Sequence, residues 1–164
     1  MKKAIITSTL FIASVLFVNA QNKTFAAEAL ADQLMDLEGK TITFENVLKA
    51  HKNKVILLDI WASWCKDCVV GMSILNKIKK DYPEVAYVYI SLDRNKEIWE
   101  KGIKRFKIEE GSHYWAPKGW KSDLFTAIDL DWIPRYMVLD KDGSIKLYKA
   151  IKAEDKEIIK QLTK

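Results

Sequence analysis

Residues 55–69 read VILLDIWASWCKDCV, an apolar run that ends in two cysteines three positions apart. Val55 to Ile60 is rich in β-branched and aliphatic residues and follows the polar His51, Lys52, Asn53 and Lys54, which predicts a strand buried on both faces, interrupted by Asp59. After Trp64 the period lengthens. Val69, Met72, Ile74, Leu75 and Ile78 recur at helical spacing until Asp81, Tyr82 and Pro83 close the segment. Cys65 therefore falls at or near the first position of a helix that follows a buried strand.

Cys65 and Cys68 are the chain's only two cysteines, so its sulfur chemistry is done there. On a helix, positions i and i+3 bring β-carbons to roughly 5–6 Å, close to the separation a disulfide needs, so a short reversible bridge is feasible. Unpaired N–H groups and the positive dipole end favour a thiolate on Cys65 and make it the expected nucleophile. Cys68, one turn further in, is the expected resolving thiol. Asp59, six residues before Cys65, is placed to take the proton that exchange must move. A structural aspartate held by hydrogen bonds is the plainer reading, but an unpaired buried carboxylate is costly, and such a cost beside sulfur suits proton transfer.

WASWCKDC is similar to the WCxxC active site of the thioredoxin superfamily, and LLDIWASWC, VYISLDRNKEIWEKGI and WIPRYMVLDKDGSI together resemble its extracytoplasmic TlpA/ResA-like branch from about Leu34 onward. The resemblance implies an α/β, thioredoxin-like sandwich with a central mixed β-sheet flanked by helices and an N-terminal hairpin extension. It also implies that Pro134, in Trp132-Ile133-Pro134, is cis and faces the cysteines, that the backbone of Ile133 pairs with bound substrate, and that Trp64 of the WCxxC motif contacts it. The activity implied is thiol–disulfide exchange with client proteins, using the Cys65–Cys68 redox disulfide and no other cofactor. Reduction is favoured over oxidation, with a membrane thiol electron donor recharging the pair and cytochrome c maturation as a suitable setting. The chain departs from the common pattern at Lys66-Asp67, where relatives often carry proline before the second cysteine. These opposite charges tune the thiolate in opposite directions, so the redox direction stays open.

Met1 to Ala20 is expected to be a secretory signal peptide: Lys2 and Lys3 precede fifteen uncharged residues, Ala4 to Val18, and Val18-Asn19-Ala20 supplies small residues for cleavage. An uncleaved anchor is the alternative, although the run is short for a span of about 20 residues. Cleavage would leave residues 21–164 as one thioredoxin-like domain, soluble, extracytoplasmic and most simply periplasmic and monomeric. Removing Lys2 and Lys3 lowers the formal charge from +5 to +3. The remaining lysines lie beside acidic residues on polar helix faces, which argues against a nucleic-acid surface.

Flanking elements follow the same logic. Ala27–Leu37 is ambiguous, a helix or ordered tail that joins a hairpin turning at Glu38-Gly39-Lys40 into a strand over Thr41–Phe44, followed by a short helix over Glu45–Ala50. Val85–Leu92 predicts an interior strand, parallel to the first through the intervening helix. Asp93–Asn95 starts a helix with Ile98, Trp99, Ile103 and Phe106 as its apolar stripe and Gly102 as a mild weakness. Gly111–Gly119 looks least regular; its aromatics, with Trp120, are read as core-edge cover ahead of a substrate rim, and His113 as a loop residue. Ser122–Ile128 is a short helix capped by Ser122 or Asp123. Tyr136–Leu139 and Ile145–Tyr148 form a hairpin about Asp140-Lys141-Asp142-Gly143, and Ala153–Leu162 is a closing amphipathic helix.

Competing uses of the cysteine pair are weaker. A bridge spanning two residues constrains the unfolded chain little, so it is a poor staple. Zinc needs two further ligands, and His51 and His113 are isolated; no metal is expected. Haem attachment needs histidine where Val69 stands, and a copper carrier needs a longer cysteine spacing with a partnering histidine. A non-catalytic thioredoxin-fold binding module with a locked disulfide, or an oxidant or isomerase of the same fold, remains the alternative function.

Overall fold

The computed structural model describes residues 24–163, so the leader expected over Met1–Ala20 lies outside it. The strand read from the VILLDI run is Ile56–Trp61; in chain order it is β3, preceded by β1 (Gln33–Asp36) and β2 (Thr41–Thr43). It lies inside a seven-stranded sheet of order β2-β1-β5-β4-β3-β6-β7, completed by β4 (Ala86–Ser91), β5 (Ser112–Trp115), β6 (Arg135–Leu139) and β7 (Ile145–Ala150). β3 runs parallel to β4 and antiparallel to β6, and β4 runs parallel to β5. All residues of β3, β4 and β6 are buried, so both faces of the sheet are covered.

Helices α1 (Ala27–Ala31), α2 (Phe44–Ala50), α3 (Lys66–Asp81), α4 (Lys96–Phe106), α5 (Asp123–Ala127) and α6 (Lys156–Leu162) flank it. Their starts are written locally: Thr43, Asn95, Ser122 and Asp155 accept backbone N–H bonds from Asn46, Ile98, Phe125 and Glu157 at the heads of α2, α4, α5 and α6. Of the two candidate caps for α5, Ser122 is the one used. The β6–β7 turn closes through the Gly143 N–H to the Asp140 carbonyl at 2.9 Å, with Gly143 at φ 86°, a conformation glycine adopts without penalty. The central mixed sheet, its flanking helices and the β1–β2 hairpin match the thioredoxin-like sandwich expected.

One open reading is resolved and two local expectations change. Ala27–Leu37 divides into the one-turn α1 and then β1, because Asp32 between them is drawn to distant partners. Gly111–Gly119 is not irregular throughout: Ser112–Trp115 is β5, which pairs with β4 on one side and with β1 of the N-terminal hairpin on the other. Four residues are too few to show strand periodicity, and pairing from both sides makes the strand. In α4, Trp99 and Ile103 are buried but Ile98 is exposed, and its place against the core is taken by Gly102.

Candidate active site

Cys65 is the N-cap of α3. Its Sγ accepts the Cys68 N–H at 3.2 Å, one of the amides that a helix start leaves without a carbonyl. Cys65 and Cys68 are joined in a disulfide with Cα atoms 5.3 Å apart. Cys65 retains 7% exposure and Cys68 none, so an incoming sulfur can reach only the first.

The turn that presents Cys65 is braced from β4. Buried Asp93 accepts from the Ser63 N–H at 3.1 Å to each carboxylate oxygen, from the Ser63 hydroxyl at 2.7 Å and from the Ser91 hydroxyl at 2.9 Å. Trp115 of β5 donates its indole N–H to the Asp93 carbonyl at 2.7 Å. Gly102 of α4 lies against this turn so closely that an added Cβ would stand 2.7 Å from the Ser63 Cβ and 3.3 Å from the Trp61 ring.

Opposite the cysteines, the Ile133–Pro134 peptide is cis, and the Ile133 carbonyl oxygen lies 3.6 Å from Cys65 Sγ. Fully buried Arg135 holds the approach to this peptide by donating to the Ile128 carbonyl at 3.0 Å, the Asp129 carbonyl at 3.3 Å and the Asp131 carboxylate at 2.6 Å. Lys149 and then Arg135 hold the Asp131 carboxyl down at about 2, so it stays ionised. A cavity of about 300 Å³ opens beside Cys65, lined by Trp64, Lys66, Asp67, Trp120, Trp132 and Ile133. The aromatic segment therefore splits: Tyr114 and His113 are buried in the sheet, whereas Trp120 stands in a 3-10 turn (Gly119–Lys121) at the site. That turn is anchored by Asp32, whose buried carboxylate accepts from Lys118 at 3.1 Å, from the Ser122 hydroxyl and from the Leu124 N–H at 3.2 Å.

Asp59 is buried at the centre of β3, between Tyr89 on β4 and Tyr136 on β6 in register, and neither of its carboxylate oxygens has a hydrogen-bond partner. The shared face is the one under α3, because a Cβ on Gly71 would collide with the Tyr136 hydroxyl. Asp59 thus lies beneath the helix that carries Cys68. Burial pushes its carboxyl well above the ordinary value. His113 extends the same row, stacked on Tyr89 with ring centroids 4.7 Å apart, and burial lowers its imidazole to about 4, so it is neutral.

The structure thus brings Cys65, Cys68, Trp64, Ile133 and Pro134 together, with Asp59 in the layer below. Sequence reasoning missed Asp93, Arg135 and Trp132, and for Trp120 it put core-edge cover ahead of the substrate-rim reading that its place in the cavity favours. Of the three missed, only Trp132 carried a signal, its place directly before Ile133-Pro134. Among the described residues no group of three or more His, Cys, Asp or Glu side chains is arranged to hold a metal ion, and no helix is long and apolar enough to cross a membrane.

A family model described as thioredoxin-like matches residues 53–145, a span that runs from just before β3 into β7 and includes both cysteines and Pro134. The thiol–disulfide oxidoreductase ResA of Bacillus thuringiensis (strain Al Hakam) is 26% identical over 129 residues, 79% of this chain and 71% of the relative. Among solved structures, the thioredoxin domain of a thiol–disulfide oxidoreductase from Bacteroides vulgatus superimposes with a TM-score of 0.68 at 20% identity, covering 86% of this chain and 100% of that one. A thiol–disulfide oxidoreductase from Bacteroides fragilis does so with a TM-score of 0.68 at 22% identity, over 82% and 98%.

Proposed function

The chain belongs to the thioredoxin-like family, and from that premise we propose that this thiol–disulfide oxidoreductase is exported and reduces disulfides of extracytoplasmic client proteins. The observation that carries the reading is the asymmetry of the pair: Cys65 at the mouth of a cavity with an N–H aimed at its sulfur, Cys68 sealed beneath it. Export rests on the charged, apolar and small-residue pattern of Met1–Ala20.

In the dithiol form, the Cys65 thiolate attacks one sulfur of a client disulfide, and the other client sulfur leaves as thiolate and takes up a proton. Cys68 then loses its proton to Asp59 and displaces the client sulfur from Cys65. The Cys65–Cys68 disulfide re-forms, and the client has gained two electrons and two protons. An Asp59 carboxyl raised by burial is matched to accept a thiol proton, because its affinity lies nearer that of sulfur than an ordinary carboxylate's does. The Cys68 N–H and the dipole of α3 stabilise the Cys65 thiolate. Trp64 and the Ile133–Pro134 peptide, whose Ile133 carbonyl lies 3.6 Å from Cys65 Sγ, hold the client. The pair needs no further cofactor. A dithiol donor at the membrane returns it to the reduced state, and apocytochrome c is a fitting client. The protein acts as a monomer, soluble in the periplasm or its equivalent.

The deciding experiment is the reduction potential of Cys65–Cys68 in glutathione or dithiothreitol buffers. A value near or below about −270 mV supports a reductase, and one near about −120 mV overturns the direction in favour of an oxidant or isomerase. Cys68→Ser is expected to trap a mixed disulfide through Cys65 more readily than Cys65→Ser traps one through Cys68. Equal silence of both variants would sink the catalytic reading in favour of a binding module.

A further inference from the structure

Seven large apolar side chains are exposed among the described residues, and five of them, Trp64, Val70, Trp120, Trp132 and Ile151, line two cavities, one at Cys65 and one beside it that shares Trp132. The first cavity, of about 300 Å³, holds Trp64 (59% exposed), Trp120 (47%) and Trp132 (58%) over Cys65 and Ile133. The second, of about 250 Å³, lies beyond Trp132 and is lined by Val70, Pro134 and Ile151. Trp132 is common to both, and the Ile133–Pro134 peptide runs between them.

Exposed apolar surface is costly unless something covers it, and a patch gathered at one end of a molecule marks a contact. Charge does not choose the occupant. Lys66 and Asp67 flank the first cavity, and Asp67, Lys152 and Glu154 flank the second, a balanced set of two cations and two anions. Each volume sits at or below the low end of the roughly 300–1,000 Å³ of small-molecule sites, room for one large side chain rather than a cofactor. Cys65, the only group at the mouth able to bond covalently, restricts the occupant to something that carries a thiol or disulfide.

We infer that the two cavities are paired side-chain subsites, and that this protein selects client disulfides that carry bulky apolar residues, aromatic ones above all, two positions to either side of the cysteine. The inference rests on the oxidoreductase reading and goes beyond it by naming the substrate class. An extended client segment crossing the Ile133–Pro134 peptide turns alternate side chains to the same side, so the residues two before and two after its cysteine face this surface together with the cysteine and enter one cavity each. Trp120 and Trp132 are the specificity-determining residues. Trp120 is held to this task from a distance, since its turn is tied by Asp32 to the start of β1.

The test uses blocked pentapeptides X-Ala-Cys-Ala-X, oxidised to intermolecular homodimers, with X as Phe, Leu, Ala or Glu. The second-order rate of their reduction by the pre-reduced protein is measured beside that of oxidised glutathione. The Phe peptide is expected to react at least about tenfold faster than the Ala peptide, the discrimination an apolar pocket gives, with Leu between them and Glu slowest. Trp132→Ala is expected to bring the Phe-to-Ala ratio close to one and Trp120→Ala to lower it. Ile98→Ala, an exposed apolar side chain outside both cavities, keeps it. A wild-type ratio within twofold of one overturns the inference, as does a collapse in Ile98→Ala equal to that in Trp132→Ala. Reduction of glutathione disulfide with no reduction of any peptide overturns it while leaving the oxidoreductase reading intact. No reaction with either overturns both.

Discussion

Asp93 receives both hydrogen-bond donors of Ser63, the backbone N–H at 3.1 Å and the hydroxyl at 2.7 Å, across a separation of thirty residues. The bond joins the loop after β4 to the turn after β3. Since Trp64 and Cys65 follow Ser63 directly, the direction in which the nucleophile faces is held from the neighbouring strand.

Asp93→Ala removes the acceptor of three donors, two of them on Ser63, and is expected to cost roughly 2–4 kcal/mol. Asp93→Asn, which keeps one carbonyl acceptor, should lose less. Urea unfolding of both oxidised variants checks this ordering, and the Asp93→Ala protein should also react more slowly with client disulfides.

Asp59→Asn should make the protein more stable at pH 8 and leave it unchanged below about pH 4. The folded carboxyl has a raised proton affinity, so its stabilising contribution is complete below the unfolded value near 3.8 and is lost as pH rises through the folded value. Each tenfold change in that affinity is worth about 1.4 kcal/mol. The same variant should slow the Cys68 step on the order of a hundredfold, read as persistence of the mixed disulfide.

His113 works in the opposite sense over part of the same range. Its folded value of about 4 lies below the 6.5 of a free imidazole, so the unfolded chain binds the proton first and stability falls as pH drops from about 6.5 towards 4. His113→Phe keeps a ring against Tyr89 and removes the titration. Between pH 7 and pH 4.5 the variant should lose roughly 2 kcal/mol less than wild type in denaturant titrations.

Gly102→Ala is expected to destabilise by about 1–3 kcal/mol, although alanine is the better helix former by about 1 kcal/mol. The new Cβ meets the Ser63 Cβ at 2.7 Å and the Trp61 ring at 3.3 Å, neither of which is the end of a flexible chain. Thermal unfolding measures the loss.

Signals confined to a dozen neighbouring residues were enough for much of the molecule. The step from aliphatic run to helical spacing across VILLDIWASWCKDCV located β3, Cys65 at the head of α3 and the i, i+3 cysteine pair. Asp-Gly chemistry located the β6–β7 turn, and an Asx or Ser residue before an apolar stripe located the starts of α4 and α5. These elements are set by backbone stereochemistry and by hydrogen bonds that close within a turn.

What needed the folded chain depends on groups far apart in sequence. Ser112–Trp115 is a strand because β1 and β4 pair with it from both sides. Gly102 is a contact point rather than a weakness because α4 crosses Ser63 and Trp61, and Asp93 braces Ser63 rather than capping α4. Trp120 joins Trp64 and Trp132 because Asp32 anchors its turn from the other end of the chain. A sequence window records which side chains are apolar or charged. Burial, cross-strand register and the approach of one element to another come only with long-range packing, and those decide which tryptophans cover the core and which stand open around the disulfide.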